Sequence, residues 1–179
     1  GIHTPDAIRL CWSSHREVIA DVGRYADFVP FCSTSRILAR HGVGKFDAQL
    51  SLGFLAFTEE YTSCVRLTPP STITATATDT PLFQRLDTSW RFSDGSAPGT
   101  CDLDFELNLL LRSLIHDRAL AAVIDRVASE QVAAFRRRIA EVNDLSALGG
   151  EAHAVTQRGA AAATRATEDI ALLVSDHNA

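Results

Sequence analysis

Between Lys45 and Leu55 the chain alternates. Phe46, Ala48, Leu50, Leu52 and Phe54 fall on one side, and Asp47, Gln49, Ser51 and Gly53 on the other. A period of two is that of a strand with one buried face. Tyr61, Ser63, Val65 and Leu67 continue the alternation up to Pro69-Pro70, and Ile73, Ala75 and Ala77 carry it to a turn near Asp79 to Pro81. Leu86, Trp90 and Phe92 line one further strand up to Asp94-Gly95, and Cys101, Leu103, Phe105, Leu107 and Leu109 line the next. From Ser33 to about Leu111, turn signals recur every 10 to 15 residues or so, which predicts an antiparallel sheet.

After Arg112 the period changes. Leu120, Val123, Ile124, Val127, Gln131, Ala134 and Phe135 recur at spacings of three and four, while Arg118, Asp125, Arg126, Glu130, Arg136 and Arg137 occupy the other face. This predicts an amphipathic helix of about 25 residues, one face on the sheet and one in water. At the start, Ala7 to Trp12 reads as a short strand, and Ser14-His15-Arg16-Glu17 has the S-x-x-E spacing of a capping box that would open a short helix. Gly23 and Pro30 leave room for one or two turns around Arg24 to Val29. From Leu145 onward there are glycines, a run of alanines and no aromatic residue. That composition predicts a tail, loosely helical around Ala160 to Val174 at most. The expected organisation is one domain over residues 1–144 and a tail over 145–179.

A sheet with one apolar face and one long amphipathic helix is satisfied when the sheet curls around the helix. The expected class is α+β, a curved antiparallel sheet of about seven strands around a long C-terminal helix. Such a grip encloses space, and the predicted inward positions are almost wholly apolar, which suits an apolar ligand.

Composition agrees with one globular body. The chain has 179 residues, 46% hydrophobic and 22% charged, and a body of about 140 residues buries roughly 70% of its unfolded surface without needing a metal or disulfide. The four cysteines, Cys11, Cys32, Cys64 and Cys101, form no C-x-x-C pair and are expected to be buried thiols in a reducing compartment. The net charge of -5 argues against a nucleic-acid partner. The basic run Arg136-Arg137-Arg138 reads as a solvated helix end. No apolar stretch is long enough to span a bilayer. Residues 1–12 are neither Arg-rich nor built like a signal peptide, so any address either has been removed ahead of Gly1 or was never part of the sequence.

The run Ile19-Ala20-Asp21-Val22-Gly23-Arg24-Tyr25-Ala26-Asp27-Phe28-Val29-Pro30-Phe31-Cys32 resembles the signature near the start of the mitochondrial coenzyme Q-binding family, relatives of the START-like polyketide cyclase group. Leu52-Gly53-Phe54 followed by Glu60-Tyr61-Thr62-Ser63, then Trp90-Arg91-Phe92 with Cys101-x-x-x-Phe105, and finally Ala133-Ala134-Phe135 resemble later strands and the last helix of that family. The resemblance covers about Ile8 to Val142. It implies a helix-grip, START-like fold and binding of coenzyme Q or its biosynthetic intermediates by a carrier without a reaction of its own. It also implies a peripheral place on the matrix side of the mitochondrial inner membrane, and respiratory-chain or ubiquinone-biosynthesis proteins as partners.

Phe46, Leu50, Leu52, Phe54, Trp90, Phe92, Phe105, Leu109, Val123 and Val127 are the candidates to contact an isoprenoid ligand; the alternative is that they pack as ordinary core. Tyr25, Phe28, Val29, Pro30 and Phe31 form an aromatic loop expected near a cavity mouth, as a ligand gate or as packing. Gln131 lies in the helix's apolar stripe, where its amide could meet a quinone carbonyl, or else it marks the solvated edge of the stripe. Phe54-Leu55-Ala56-Phe57 places apolar residues at a chain reversal, so Phe54, Leu55 and Phe57 are candidates for membrane contact, with closure over the cavity as the rival. Asp102, Asp104 and Glu106, with Arg85 and Arg91 from the neighbouring strand, read as cross-strand surface pairs. There is no G-x-S-x-G, G-x-G-x-x-G, P-loop or H-E-x-x-H, and the six histidines lack metal-ligand spacing. No catalytic residue, metal or cofactor is expected. Two rival functions stay open: a cyclase or aromatase, which would need polar acid and base groups inside the cavity, and a ribosome-associated role, which should bring a basic surface.

Overall fold

Alternating side chains commit the middle of the chain to extended structure. The computed structural model has six strands paired in chain order, each antiparallel to the next. They are β1 (Cys32–Arg40), β2 (Lys45–Phe54), β3 (Phe57–Thr68), β4 (Thr72–Thr78), β5 (Phe83–Asp94) and β6 (Cys101–Leu111). Ahead of them come α1 (Asp6–Ile19), a 3-10 turn (Val22–Arg24) and α2 (Tyr25–Phe28), and behind them α3 (Arg118–Ala147). The structure describes residues 6–54, 57–78, 80–97, 101–112 and 118–147.

The register carries the apolar face from strand to strand. Phe46 opposes Val65, Val65 opposes Ala75, Ile73 opposes Trp90, and Trp90 opposes Phe105. Phe46, Ala48, Leu50, Val65, Ile73, Trp90, Phe92 and Leu103 are all buried. Cross-strand neighbours on one face of a pleated sheet touch, so Phe46, Val65 and Ala75 form one row of an apolar floor and Ile73, Trp90 and Phe105 the row beside it. At the β1–β2 turn the Leu67 amide donates to the Gly44 carbonyl at 2.7 Å. Gly44 has φ 75°, and a Cβ there would stand 3.0 Å from the Leu67 carbonyl oxygen, so the close approach requires glycine.

α3 supplies the other wall. Ala134, Phe135 and Ile139 are buried while Arg136 and Arg137 are exposed, the division expected of an amphipathic helix. α1 packs against α3, β5 and β6. The result is the expected helix-grip arrangement with three corrections.

Ala7 to Trp12 is helix, not strand, and Ser14 to Glu17 lies inside α1 rather than at its start. Cys11, Trp12, His15, Val18 and Ile19 are buried on one helical face. Ser14 does not cap; its hydroxyl donates back to the Cys11 carbonyl at 3.2 Å, a bond available to serine within a helix. The sheet therefore has six strands rather than about seven. Second, α3 is 30 residues long, because Ile139 and Val142 extend its packed face beyond Phe135. It takes in residues 145–147 of the expected tail, and the rest of that tail lies outside the described residues. Third, Cys11 and Cys101 are paired, with Cα atoms 6.4 Å apart, while Cys32 and Cys64 are free thiols. The pairing joins α1 to β6 across 90 residues of sequence; spacing along a chain does not reveal a contact made by folding α1 back onto β6.

Candidate ligand-binding cavity

Between sheet and α3 the side chains do not meet everywhere. Two adjoining chambers remain, of about 90 and about 100 Å³. A single water needs only roughly 10–15 Å³ of such space, so each is larger than a packing defect. The first is floored by Leu50, Val65, Ile73 and Trp90, roofed by Val132 and Phe135 of α3, and ended by Ile19, Val22, Tyr25 and Val29. The second runs between Ala77, Phe83, Leu86, Leu107 and Leu109 of the sheet and Val127 and Ala128 of the helix, with Phe31 beside it. Leu52, Tyr61, Ser63, Ala75, Thr88 and Gln131 line both, so the chambers share a boundary.

Of the residues singled out in the sequence, Tyr25, Val29, Phe31, Leu50, Leu52, Trp90, Phe105, Leu109, Val127 and Gln131 line this space. Gln131 stands at the shared boundary, not at a solvated edge. Pro30, Phe28, Phe46 and Phe92 do not line it. Phe28 packs edge-on against Phe135 at 5.3 Å and lies under the Arg138 guanidinium at 5.9 Å. Phe46 is core under Arg40. Phe92 is sealed beneath α1 by Trp12 at 5.3 Å and His15 at 6.2 Å. Parity along a strand gives the face a residue occupies, not whether a helix covers it at that point. Leu55 lies outside the described residues, as do the side chains of Phe54, Phe57 and Val123.

The lining is less apolar than the sequence reading expected. Tyr61 and Ser63, both buried, and Thr88 and Cys32 join Gln131 among the lining residues. Ser63 has the same inward parity as Val65, and Thr88 the same as Trp90, which is the signal that could have found them. Burial pushes the Tyr25 and Tyr61 hydroxyls well above the ordinary tyrosine range and the Cys32 thiol up to about 11. These groups therefore stay protonated at neutral pH. The Tyr25 hydroxyl is committed, donating to the Ile19 carbonyl. Neither chamber is lined by a carboxylate, an ammonium, a guanidinium or an imidazole among the described residues.

Two local devices position the second chamber. Phe31 adopts φ 67°, sparsely populated for a residue with a bulky side chain, and its carbonyl accepts from the Gly53 amide at 2.8 Å. The chamber is thereby pinned one residue from Phe54, where the β2–β3 hairpin turns and Phe54 pairs with Phe57. On the other side, Glu59 is a buried carboxylate held by its neighbours. It accepts from the Thr80 hydroxyl at 2.5 Å and the Leu82 amide at 3.0 Å. Thr80 in turn accepts from the Phe83 amide at 3.2 Å, and the Arg112 Nε donates to the Thr80 carbonyl at 3.1 Å. The network fixes the approach to Phe83, which lines the second chamber.

The outward residues behave as surface. Arg91 opposes Asp104 in the register, whereas Arg85 opposes Leu110 and instead pairs with Asp87 of its own strand at 3.7 Å. Among the described residues no three His, Cys, Asp or Glu side chains gather as metal ligands, and no described helix is long and apolar enough to cross a membrane.

Residues 17–136 match the family described as polyketide cyclase / dehydrase and lipid transport. The chain is 35% identical to the mitochondrial coenzyme Q-binding protein COQ10 homolog B of Xenopus laevis, over 70% of this chain and 52% of the frog protein. It is 31% identical to the mitochondrial coenzyme Q-binding protein coq10 of Schizosaccharomyces pombe, over 66% of this chain and 73% of the yeast protein. The chain thus spans about half the length of the frog relative. Among solved structures, the Zhui aromatase/cyclase from Streptomyces sp. R1128 aligns with a TM-score of 0.57 over 77% of this chain and 90% of that one, at 21% identity, a likeness of fold alone. The chain belongs to the polyketide cyclase / dehydrase and lipid transport family, and within it to the coenzyme Q-binding proteins.

Proposed function

We propose that the chain takes up coenzyme Q, or an intermediate in its synthesis, in the cavity between sheet and α3 and carries it without reacting with it. The observation that carries this reading is a cavity with no charged group among the described residues that line it, under the long helix of a protein in the coenzyme Q-binding group. An isoprenoid quinone is an apolar chain on a ring whose polar atoms are neutral acceptors. Such a molecule gains by burial against apolar walls and needs only hydrogen-bond donors at its oxygens. Cyclisation or dehydration needs an acid and a base within reach of the reacting atoms, and the lining supplies hydroxyls, an amide and a thiol that hold their protons at neutral pH.

The reading extends to location and partners. Two relatives bear the word mitochondrial in their names, and a quinone cargo resides in membrane. The chain would work peripherally on the matrix side of the inner membrane, docking through the Phe54-Leu55-Ala56-Phe57 segment, and exchange quinone with respiratory-chain or biosynthetic proteins.

Incubating the protein with vesicles containing ubiquinone, separating it by flotation and extracting it tests the reading. Recovery of quinone of unchanged mass with the protein is the expected result. Absence of quinone overturns carriage, and quinone of altered mass would make the protein an enzyme of the cyclase type.

A further inference from the structure

Tyr61, Ser63, Thr88 and Gln131 all line both chambers, so they form a band where the two meet. On either side of that band the walls are mostly apolar: Leu50, Val65 and Trp90 in the first chamber, Phe83, Leu86 and Leu109 in the second. The band is built by register. Ser63 lies between Ala48 and Ala77, and Thr88 between Ala75 and Leu107, so alanine leaves space on both sides of the Ser63 hydroxyl and on one side of Thr88. Gln131 faces them from α3. Ser63 is 5% and Tyr61 9% exposed. None of the four side chains makes a hydrogen bond to another described residue.

Among the described residues the one fully buried side-chain polar atom without a partner is His15 Nε2, so the polar atoms of these four open onto the cavity space, where a water or a ligand oxygen can pair them. Four such groups left open at one level of an otherwise apolar space constitute a binding band for a ligand with oxygens at that level. A structural role would have them bonded to one another or to the backbone, as the Glu59, Thr80 and Arg112 groups are.

We propose that Tyr61, Ser63, Thr88 and Gln131 form a polar waist that recognises the ring oxygens of the ligand, with its apolar tail lying in the second chamber toward Phe31. The proposal rests on the quinone-carrier reading and adds to it that the ring oxygens are read at the waist whatever the length of the tail. Tyr61 donates one hydrogen bond, and the amide of Gln131 and the two hydroxyls can donate to carbonyl or methoxy oxygens. Trp90 and Phe105, with centroids 4.4 Å apart, form the aromatic wall beyond the waist against which the ring would rest.

The test is a fluorescence titration in a Trp12→Phe background, so that Trp90 alone reports. Decylubiquinone is the probe, and decylbenzene, which keeps the tail and an aromatic ring without oxygens, is the competitor. Ser63→Ala, Thr88→Val and Gln131→Leu are compared with the parent. Each variant should weaken decylubiquinone about three- to tenfold, the loss of one neutral hydrogen bond, and leave decylbenzene binding unchanged or tighter. A longer-tailed ubiquinone should show the same fold-losses. Equal losses for both probes, or none for decylubiquinone, would overturn the waist while leaving carriage intact. A parent protein that binds decylbenzene and not decylubiquinone would overturn the quinone reading and the waist together. Decylbenzene binding also shows that each variant keeps its fold and cavity.

Discussion

His15 shows how far a single side chain can be placed by packing alone. Its ring is fully buried, edge-on to Phe92, with Nδ1 2.9 Å from the Ser14 hydroxyl and Nε2 without a partner. Burial lowers its pKa from the ordinary value of 6.5, against a smaller opposing effect from the Cys11 backbone. A folded-state pKa below the unfolded one means that the unfolded chain takes up the proton first as pH falls. The stability linked to this group is therefore complete above the unfolded value and is lost as pH drops from about 6.5 toward the lower folded value. Urea denaturation should show lower stability at about pH 5.5 than at about pH 7.5, and His15→Phe should reduce that difference. An identical pH dependence in the variant would assign the effect to other groups. At this scale the sequence was half legible. Parity placed Leu50, Leu52, Trp90 and Phe105 on the inner face, and Gln131 on the inner stripe of the helix. Ser63 falls in the same alternation and Thr88 shares the parity of Trp90, but parity gives a face and not whether a small polar side chain on it lines a space. His15 looked like part of a cap because the four-residue S-x-x-E spacing recurs by chance inside helices.

Elements were legible where one period dominated. The five strands from Lys45 onward and α3 follow from alternation and from three-and-four spacing. α1 does not, because Ala7 to Trp12 is too short a window to separate a strand from a helix whose buried positions continue at His15, Val18 and Ile19. Helix α1 becomes a helix by packing on α3, β5 and β6, a tertiary cause. The connection from β4 to β5 is likewise set from outside itself, by Glu59 of β3. Glu59→Ala would leave the Leu82 amide and the Thr80 hydroxyl without their acceptor and should cost about 1–3 kcal/mol. Glu59→Gln keeps one acceptor oxygen and should cost less. Hydrogen exchange at Leu82 and Phe83 reads the effect locally; unchanged protection in Glu59→Ala would show that the connection is held by Arg112 and the sheet alone.

For the whole molecule, the backbone of β2 at Gly53 is tied to Phe31, which lines the second chamber. That bond leaves the residues after Gly53, at the hairpin tip, free to serve a contact other than the cavity wall. If the tip docks on a bilayer, Phe54→Asp combined with Phe57→Asp should lower co-sedimentation with vesicles several-fold without changing quinone binding from detergent. Unchanged sedimentation would return the tip to the role of closing the cavity. The curved sheet and long helix could be inferred from the sequence as a pair of apolar surfaces that needed each other. The space left between them could not, since it depends on where side chains fail to meet.

The most direct test of the account is native mass spectrometry of the protein purified from a quinone-producing host, with organic extraction of whatever accompanies it. The account predicts a bound species at near one per chain that extracts as an isoprenoid quinone or its precursor. A protein that arrives empty and stays empty when ubiquinone is added would contradict it.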